Sequence, residues 1–199
     1  MEYYPKTYST KSKILNATLK IISEEGIQNV TIRKIAHIAD VNIAAVNYHF
    51  GYKEIAINEA MKYVTEQLKD TFKLLENQKI QPIERLRDFL YNYADTAIQF
   101  PEIIKHFITQ TMYDYNLRAE YEVFLRTRGI ELIKETLQQI IPDQDDDTFY
   151  MQVFLLLCSL SYPVLLGNKK MADVFSINYS DQTVRHAYVD LLLNRILSN

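Results

Sequence analysis

The sequence predicts an all-α protein, and three observations carry that reading. Helix breakers are scarce, with 4 Gly and 5 Pro in 199 residues. Apolar residues, 48% of the chain, return at steps of three and four along most of its length. No segment alternates apolar and polar residues over more than a few positions, so little or no sheet is expected.

The first helix is predicted over about Ser9–Glu25. Ser9 or Thr10 can cap it, Ile14, Leu15, Ala17, Leu19 and Ile22 form its apolar stripe, and Gly26 closes it. Thr31–Phe50 then reads as two short helices around a tight turn. Ile32, Ile35, Ala36 and Ala39 share a face before the turn, and Val41, Ala45, Val46 and Phe50 supply one after it. Thr31 and Asn42 are strong caps for the two. This is the pattern of a helix-turn-helix, whose second helix lies in the major groove of DNA.

A long fourth helix begins near Lys53 and carries Ile57, Met61, Val64, Leu68, Phe72 and Leu75. Pro82 opens a fifth with Leu86, Phe89, Leu90, Tyr93 and Ala97, and Pro101 opens a sixth. A seventh is expected over about Arg118–Ile141. The acidic run Asp143–Asp147 precedes an eighth, apolar nearly all round, that ends at Leu166. Gly167–Tyr179 is predicted to be irregular. A ninth helix starts near Ser180.

The net charge is −3, but it is unevenly spread. Residues 1–53 carry seven basic and four acidic residues, and the remainder fifteen and twenty-one. A basic head on an acidic body fits a DNA-facing first segment. A single cysteine, Cys158, excludes a disulfide within the chain and fits a reducing cytoplasm. The N-terminal M-E-Y-Y-P-K-T-Y has no apolar signal core. Phe149–Leu166 approaches the length of a membrane span, yet Gln152, Ser159, Ser161 and Pro163 interrupt it, and it reads as a core helix with no membrane partner.

The spacing I-L-N-A-T-L-K-I-I-S-E-E-G (Ile14–Gly26), T-I-R-K-I-A (Thr31–Ala36) and V-N-Y-H-F-G-Y-K-E (Val46–Glu54) resembles the tetracycline-repressor (TetR/AcrR) family of bacterial regulators. The match covers roughly residues 9–60. It implies a DNA-binding head over 8–68, with the helix-turn-helix at 31–50, and a helical ligand-binding and dimerisation body over 69–199. It further implies a homodimer on a palindromic double-stranded operator, released by a small-molecule inducer. Repression is the family's commonest mode.

Expected contacts follow residue by residue. Arg33 matches a position that can reach a base, and its fork suits guanine O6 and N7. The alternative is a phosphate contact. Thr31 can cap its helix and meet a phosphate. Asn42 caps the reading helix or reads an adenine edge. Ile43, Ala44 and Asn47 should face the groove, and Tyr48, His49 and Lys53 match backbone-gripping positions. His49 has the alternative of a structural hydrogen bond. Three residues depart from the family pattern: Asp40 for a usual Gly, Asn47 for a frequent Tyr, and Tyr52 for a small polar cap. Asp tolerates a left-handed backbone, so the turn survives.

In the body, Tyr93, Phe107, Met112, Tyr113, Phe124 and Cys158 are candidates for the wall of the inducer site, with Thr96, His106 and Gln110 as polar groups. This lining suits an apolar or aromatic inducer. Phe154, Tyr188, Leu192 and Ile196 are candidates for the dimer interface, as two helices per chain in a four-helix bundle. No cofactor or metal is expected. No Glu has His three residues later, and no phosphate-loop, dinucleotide or C-x-x-C motif occurs, so an enzyme is disfavoured. The rival reading is a helical adaptor whose helix-turn-helix is purely structural and binds protein.

Overall fold

In a computed structural model, residues 9–113 and 120–198 are described, the side chains of 109–113 excepted. The described residues form helices joined by short turns and contain no strand. The chain divides into two compact units, one ending at Glu66 and the other starting at Gln67.

In the first unit, α1 (Thr10–Glu25) is capped by the Ser9 hydroxyl, which accepts from the Ser12 amide, and Gly26 closes it at φ 90°. A short 3-10 turn, Ile27–Asn29, leads to α2 (Ile32–Ala39) and α3 (Ile43–Phe50). Ile14, Leu19, Ile22, Val30, Ile35, Val46 and Phe50 are buried together with Ala56, Ala60 and Val64 from α4 (Lys53–Phe72). Apolar burial of this kind, at roughly 25 cal/mol per Å², is what holds helices too short to persist alone.

In the second unit, a 3-10 turn (Lys73–Glu76) follows α4. Next come α5 (Pro82–Gln99) and α6 (Pro101–Tyr113). The segment expected as one seventh helix comprises α7 (Glu120–Phe124), a π turn (Leu125–Gly129) and α8 (Ile130–Ile140). Gly129 sits where a Cβ would lie 3.1 Å from the Phe72 ring and 3.1 Å from Leu125, so the missing side chain is what lets Phe72 close against the turn. Last come α9 (Asp146–Leu166), α10 (Asn168–Phe175) and α11 (Gln182–Leu197).

Helix α10 corrects the expectation that 167–179 is irregular. Only Met171 of its eight residues is buried, so it leaves no apolar period to read. Gly167, at φ 77°, and Ser176, at φ 56°, bound it.

Two polar devices tie the last helix to the body. Arg185, almost fully buried, donates through Nε to the Asp95 carboxylate of α5 at 2.7 Å and through a terminal nitrogen to the Tyr179 carbonyl at 2.8 Å. Gln182 and His186 meet the other Asp95 oxygen at 2.7 and 3.0 Å. Burial pushes the Asp95 carboxyl up, but these hydrogen bonds and the Arg185 charge outweigh it and hold it below the usual carboxylate range.

The second device explains Tyr188. Pro163 lies inside α9 and has no N–H, so the Ser159 carbonyl one turn earlier loses its helical donor. The Tyr188 hydroxyl supplies the replacement, donating to Ser159 O at 3.0 Å. Tyr188, expected on the interface stripe, is half-buried in the single chain, with its polar tip used inside the body.

Two outcomes are expected. Tyr188→Phe destabilises the protein by about 1–2 kcal/mol because the Ser159 carbonyl is left unpaired. The same change costs clearly less in a Pro163→Ala background, where residue 163 regains an N–H; equal costs in both backgrounds, measured by urea unfolding, would refute the link. Asp95→Asn costs about 3 kcal/mol by stranding Arg185. A depressed folded pKa means the Asp95 contribution is complete above about pH 5 and lost as pH falls through the folded value, so the variant loses stability less steeply than the parent below about pH 4.

Candidate functional site

The turn between α2 and α3 is made by Asp40, which adopts φ 53° and ψ 52° and donates its amide back to α2. An Asp in place of the usual Gly thus still takes the left-handed conformation. Asn42 caps α3 by accepting from the Ala45 amide at 2.7 Å. That bond gives Asn42 its expected capping role. Thr31 caps α2 by accepting from the Lys34 amide at 3.2 Å, which leaves its hydroxyl proton to offer.

Burial of Val46 and Phe50 fixes which side of α3 faces out. Ile43, Ala44, Asn47, Tyr48 and His49 are all exposed, Tyr48 at 86%. His49 lies edge-on to the Tyr48 ring at 5.2 Å. On α2, Lys34 is held in an ion pair with Glu25, whereas its neighbour Arg33 is exposed and in no ion pair among the described residues. Thr31 is exposed and Lys53 half-buried. Tyr52, which the sequence marked only as a departure from the usual cap, and Ile55, which it did not single out, are two further exposed side chains of the head.

The second unit contains a half-open cavity of about 160 Å³. Ile104, Phe107, Ile108, Leu125 and Leu157 give it apolar walls. Tyr93 and Tyr121 add ring faces and hydroxyls, and the Tyr121 hydroxyl donates to that of Tyr93 at 3.0 Å. Burial, then the neighbouring Tyr93, pushes the Tyr121 phenol well above its ordinary value, so it stays a neutral hydroxyl. Ser161 lines the same cavity and adds a third hydroxyl.

Of the expected wall residues, Tyr93 and Phe107 line the cavity. Phe124 does not: its ring stands edge-on to Phe72 at 5.1 Å and beside Tyr121, one ring behind the wall. Cys158 is a correction, for it is exposed on the outer face of α9 while Leu157, one position earlier, turns inward. Met112 and Tyr113 lie outside the described side chains, as does Gln110. Thr96 and His106 are half-buried and line no part of the cavity; burial lowers the His106 pKa.

Sequence reasoning missed Tyr121, Leu125, Leu157 and Ser161 as wall residues. A serine inside the apolar run of α9 was the available signal for the last.

α9 is apolar and long enough to cross a membrane by length and composition, yet Leu156, Leu160 and Val164 are fully buried in the unit. Its other face is open, with Met151, Phe154, Leu155 and Tyr162 exposed, Phe154 at 67%. On α11, Leu191 is the most exposed apolar residue, at 56%, and Leu192 and Ile196 are half-buried.

Comparison with known proteins bears on this arrangement. Residues 14–55 match the family model described as bacterial regulatory proteins, tetR family. The HTH-type transcriptional repressor NicS of Pseudomonas putida is 22% identical over 88% of this chain and 85% of its own length. The HTH-type transcriptional regulator BetI of Burkholderia lata is 26% identical over 63% of this chain and 66% of its own. A TetR-family transcriptional regulator from Marinobacter aquaeolei shares the fold with a TM-score of 0.73 at 18% identity, over 96% of this chain and 92% of that one. The ketosteroid transcriptional regulator KstR2 of Mycobacterium tuberculosis does so with a TM-score of 0.71 at 16% identity, over 96% of both chains. With its capped, outward-facing α3, the chain carries a head that matches the tetR family of bacterial regulatory proteins, and it is a DNA-binding transcriptional regulator.

Proposed function

We propose that this regulator acts in the cytoplasm as a homodimeric repressor on a palindromic operator, released when a small molecule enters the cavity of the second unit. The observation that carries the reading is the outer face of α3. Five of its eight residues are exposed while Val46 and Phe50 anchor it from behind. An α-helix held this way fits the major groove.

Arg33 reaches a base edge or phosphate in this reading. Ile43, Ala44 and Asn47 face the groove, with apolar contact to thymine methyls. Tyr48, His49, Thr31 and Lys53 grip the backbone. Asn42 is the helix cap. One such helix covers only a few base pairs, and two copies about 34–36 Å apart match one turn of DNA.

The dimer forms through the open faces of α9 and α11. Phe154, Leu155, Tyr162 and Leu191 are large apolar side chains left exposed on these helices, and exposed apolar surface of this kind marks interaction sites. Two helices from each protomer then close a four-helix bundle. Inducer release needs a ligand that binds more tightly to the state with mismatched heads. Phe72, the last residue of α4, packs against Phe89, Tyr93 and Phe124, and Tyr93 lines the cavity. A helix that begins at Lys53 therefore ends against the ligand's wall.

Fluorescence anisotropy on DNA flanking the protein's own gene, at two salt concentrations and against a scrambled competitor, tests the reading. Tight, selective binding that falls steeply with salt is expected. Only weak, unselective binding would mean that the operator lies elsewhere or that the adaptor reading holds. Arg33→Ala costs about 1–3 kcal/mol of operator binding if the guanidinium makes a bidentate base contact; unchanged affinity removes that role. Leu191→Glu combined with Phe154→Glu yields a monomer in sedimentation and weakens operator binding, and a persisting dimer would place the interface elsewhere.

A further inference from the structure

Resting on the reading of this cavity as the inducer site, we propose that its ligand is an uncharged, hydroxyl-bearing aromatic of single-ring size. Four observations converge on that class.

The first is volume. A cavity of about 160 Å³ is close to the roughly 150 Å³ apolar cavity that takes up benzene. One ring with a small substituent fills it, and a steroid or a long acyl chain does not. The second is wall chemistry. Phe107 and Tyr121 lie ring against ring at 5.7 Å with 27° between their planes, and Ile104, Ile108, Leu125 and Leu157 complete an apolar slot. A flat ring matches such a slot better than a branched aliphatic chain.

The third is the set of hydroxyls. Tyr93 and Tyr121 are 4% and 5% exposed, and their hydroxyls bond to each other. The hydrogen-bonded Tyr121–Tyr93 pair and the Ser161 hydroxyl line the same cavity, and a hydroxyl both donates and accepts. A ligand hydroxyl can join them in either sense. A purely apolar ligand leaves them unused.

The fourth is charge. Among the described residues lining the cavity none is basic, and the one charged side chain is Glu122. An anion would enter a low-dielectric space with no counter-charge and a carboxylate at its wall. A cation finds Glu122 already paired with Arg126 at 2.7 Å. Neutral ligands avoid both penalties.

The test uses the full chain at neutral pH and three ring compounds of similar size: p-cresol, which is neutral with a hydroxyl; toluene, which is neutral without one; and benzoate, which is an anion. Calorimetric titration is expected to show saturable p-cresol binding, with benzoate at least about tenfold weaker. Tyr121→Phe keeps the ring and removes the hydroxyl. It lowers p-cresol affinity roughly fivefold while leaving toluene affinity unchanged. A misfolded variant would lose both, and Tyr93→Phe provides an independent second case.

Benzoate binding as tightly as p-cresol overturns the proposal. So does p-cresol binding that neither Tyr→Phe change affects, or no p-cresol binding at all. Operator release is scored separately by anisotropy. If p-cresol binds as expected and the operator stays bound, the ligand class stands and the inducer reading fails. If the operator is bound selectively but p-cresol finds no site, the regulator stands and the ligand class fails.

Discussion

The close approach of the Phe72 ring to Gly129 is the constraint on which the second unit is built. Phe72 is almost fully buried, and Phe89 lies 4.6 Å from it, Phe124 5.1 Å and Tyr93 6.2 Å, centroid to centroid. Any residue with a Cβ at 129 would crowd that ring and Leu125 together. Gly129 also ends the π turn that carries Leu125, a wall residue of the cavity. Such turns insert an extra residue into a helix and are frequent at functional sites. Here the turn lets one helical segment both clasp the end of α4 and line the cavity. Aromatic packing of this kind is close to a crystal in density, so its members move together or not at all.

The head meets a different demand. An eight-residue helix is far below the length that persists alone in water, so α3 must be fixed from behind and at both ends. Val46 and Phe50 supply the buried side, Asn42 the first cap and Gly51, at φ 69°, the exit. What remains is available to solvent. The same residues that make the helix stable therefore dictate which ones face out, and a reading face is left over from that division. Arg33 and Lys34 illustrate it on α2: adjacent in sequence, Lys34 is used by Glu25, while Arg33 is exposed and in no ion pair among the described residues.

How much of this was legible in the sequence follows from the range of the interactions. The head was readable because its determinants are local. Ser9, Thr31 and Asn42 sit directly before the helices they cap, and Gly26 directly after one. The body resisted for the opposite reason. An aromatic residue on a helix stripe has the same period whether it fills core or lines a space, so Phe124 and Tyr121 could not be told apart. Cys158 and Leu157 differ by one position, about 100° of helix, and that decides inside from outside. The task of Tyr188 is set by Pro163 through a carbonyl on another helix, a relation that no window of sequence contains. Helix α10 has a single buried residue and so no pattern to detect.

The size of the cavity bears on whether a small ligand can drive release. Moving a two-state equilibrium from about 1:99 to 99:1 takes roughly 5.5 kcal/mol of differential binding. A single-ring phenol has about eight heavy atoms, and very small ligands reach at most about 1.5 kcal/mol per atom. Were one cavity to act alone, about half of that ceiling would have to discriminate between the two states, a severe demand. In the proposed dimer two cavities act on one equilibrium, and each need supply about 2.7 kcal/mol. That is within what one buried hydrogen bond and the closing of an aromatic wall around a ring can differ by between two conformations. Within the proposed function, a cavity this small thus drives release more readily when the two protomers switch together, which ties the proposed interface on α9 and α11 to the response.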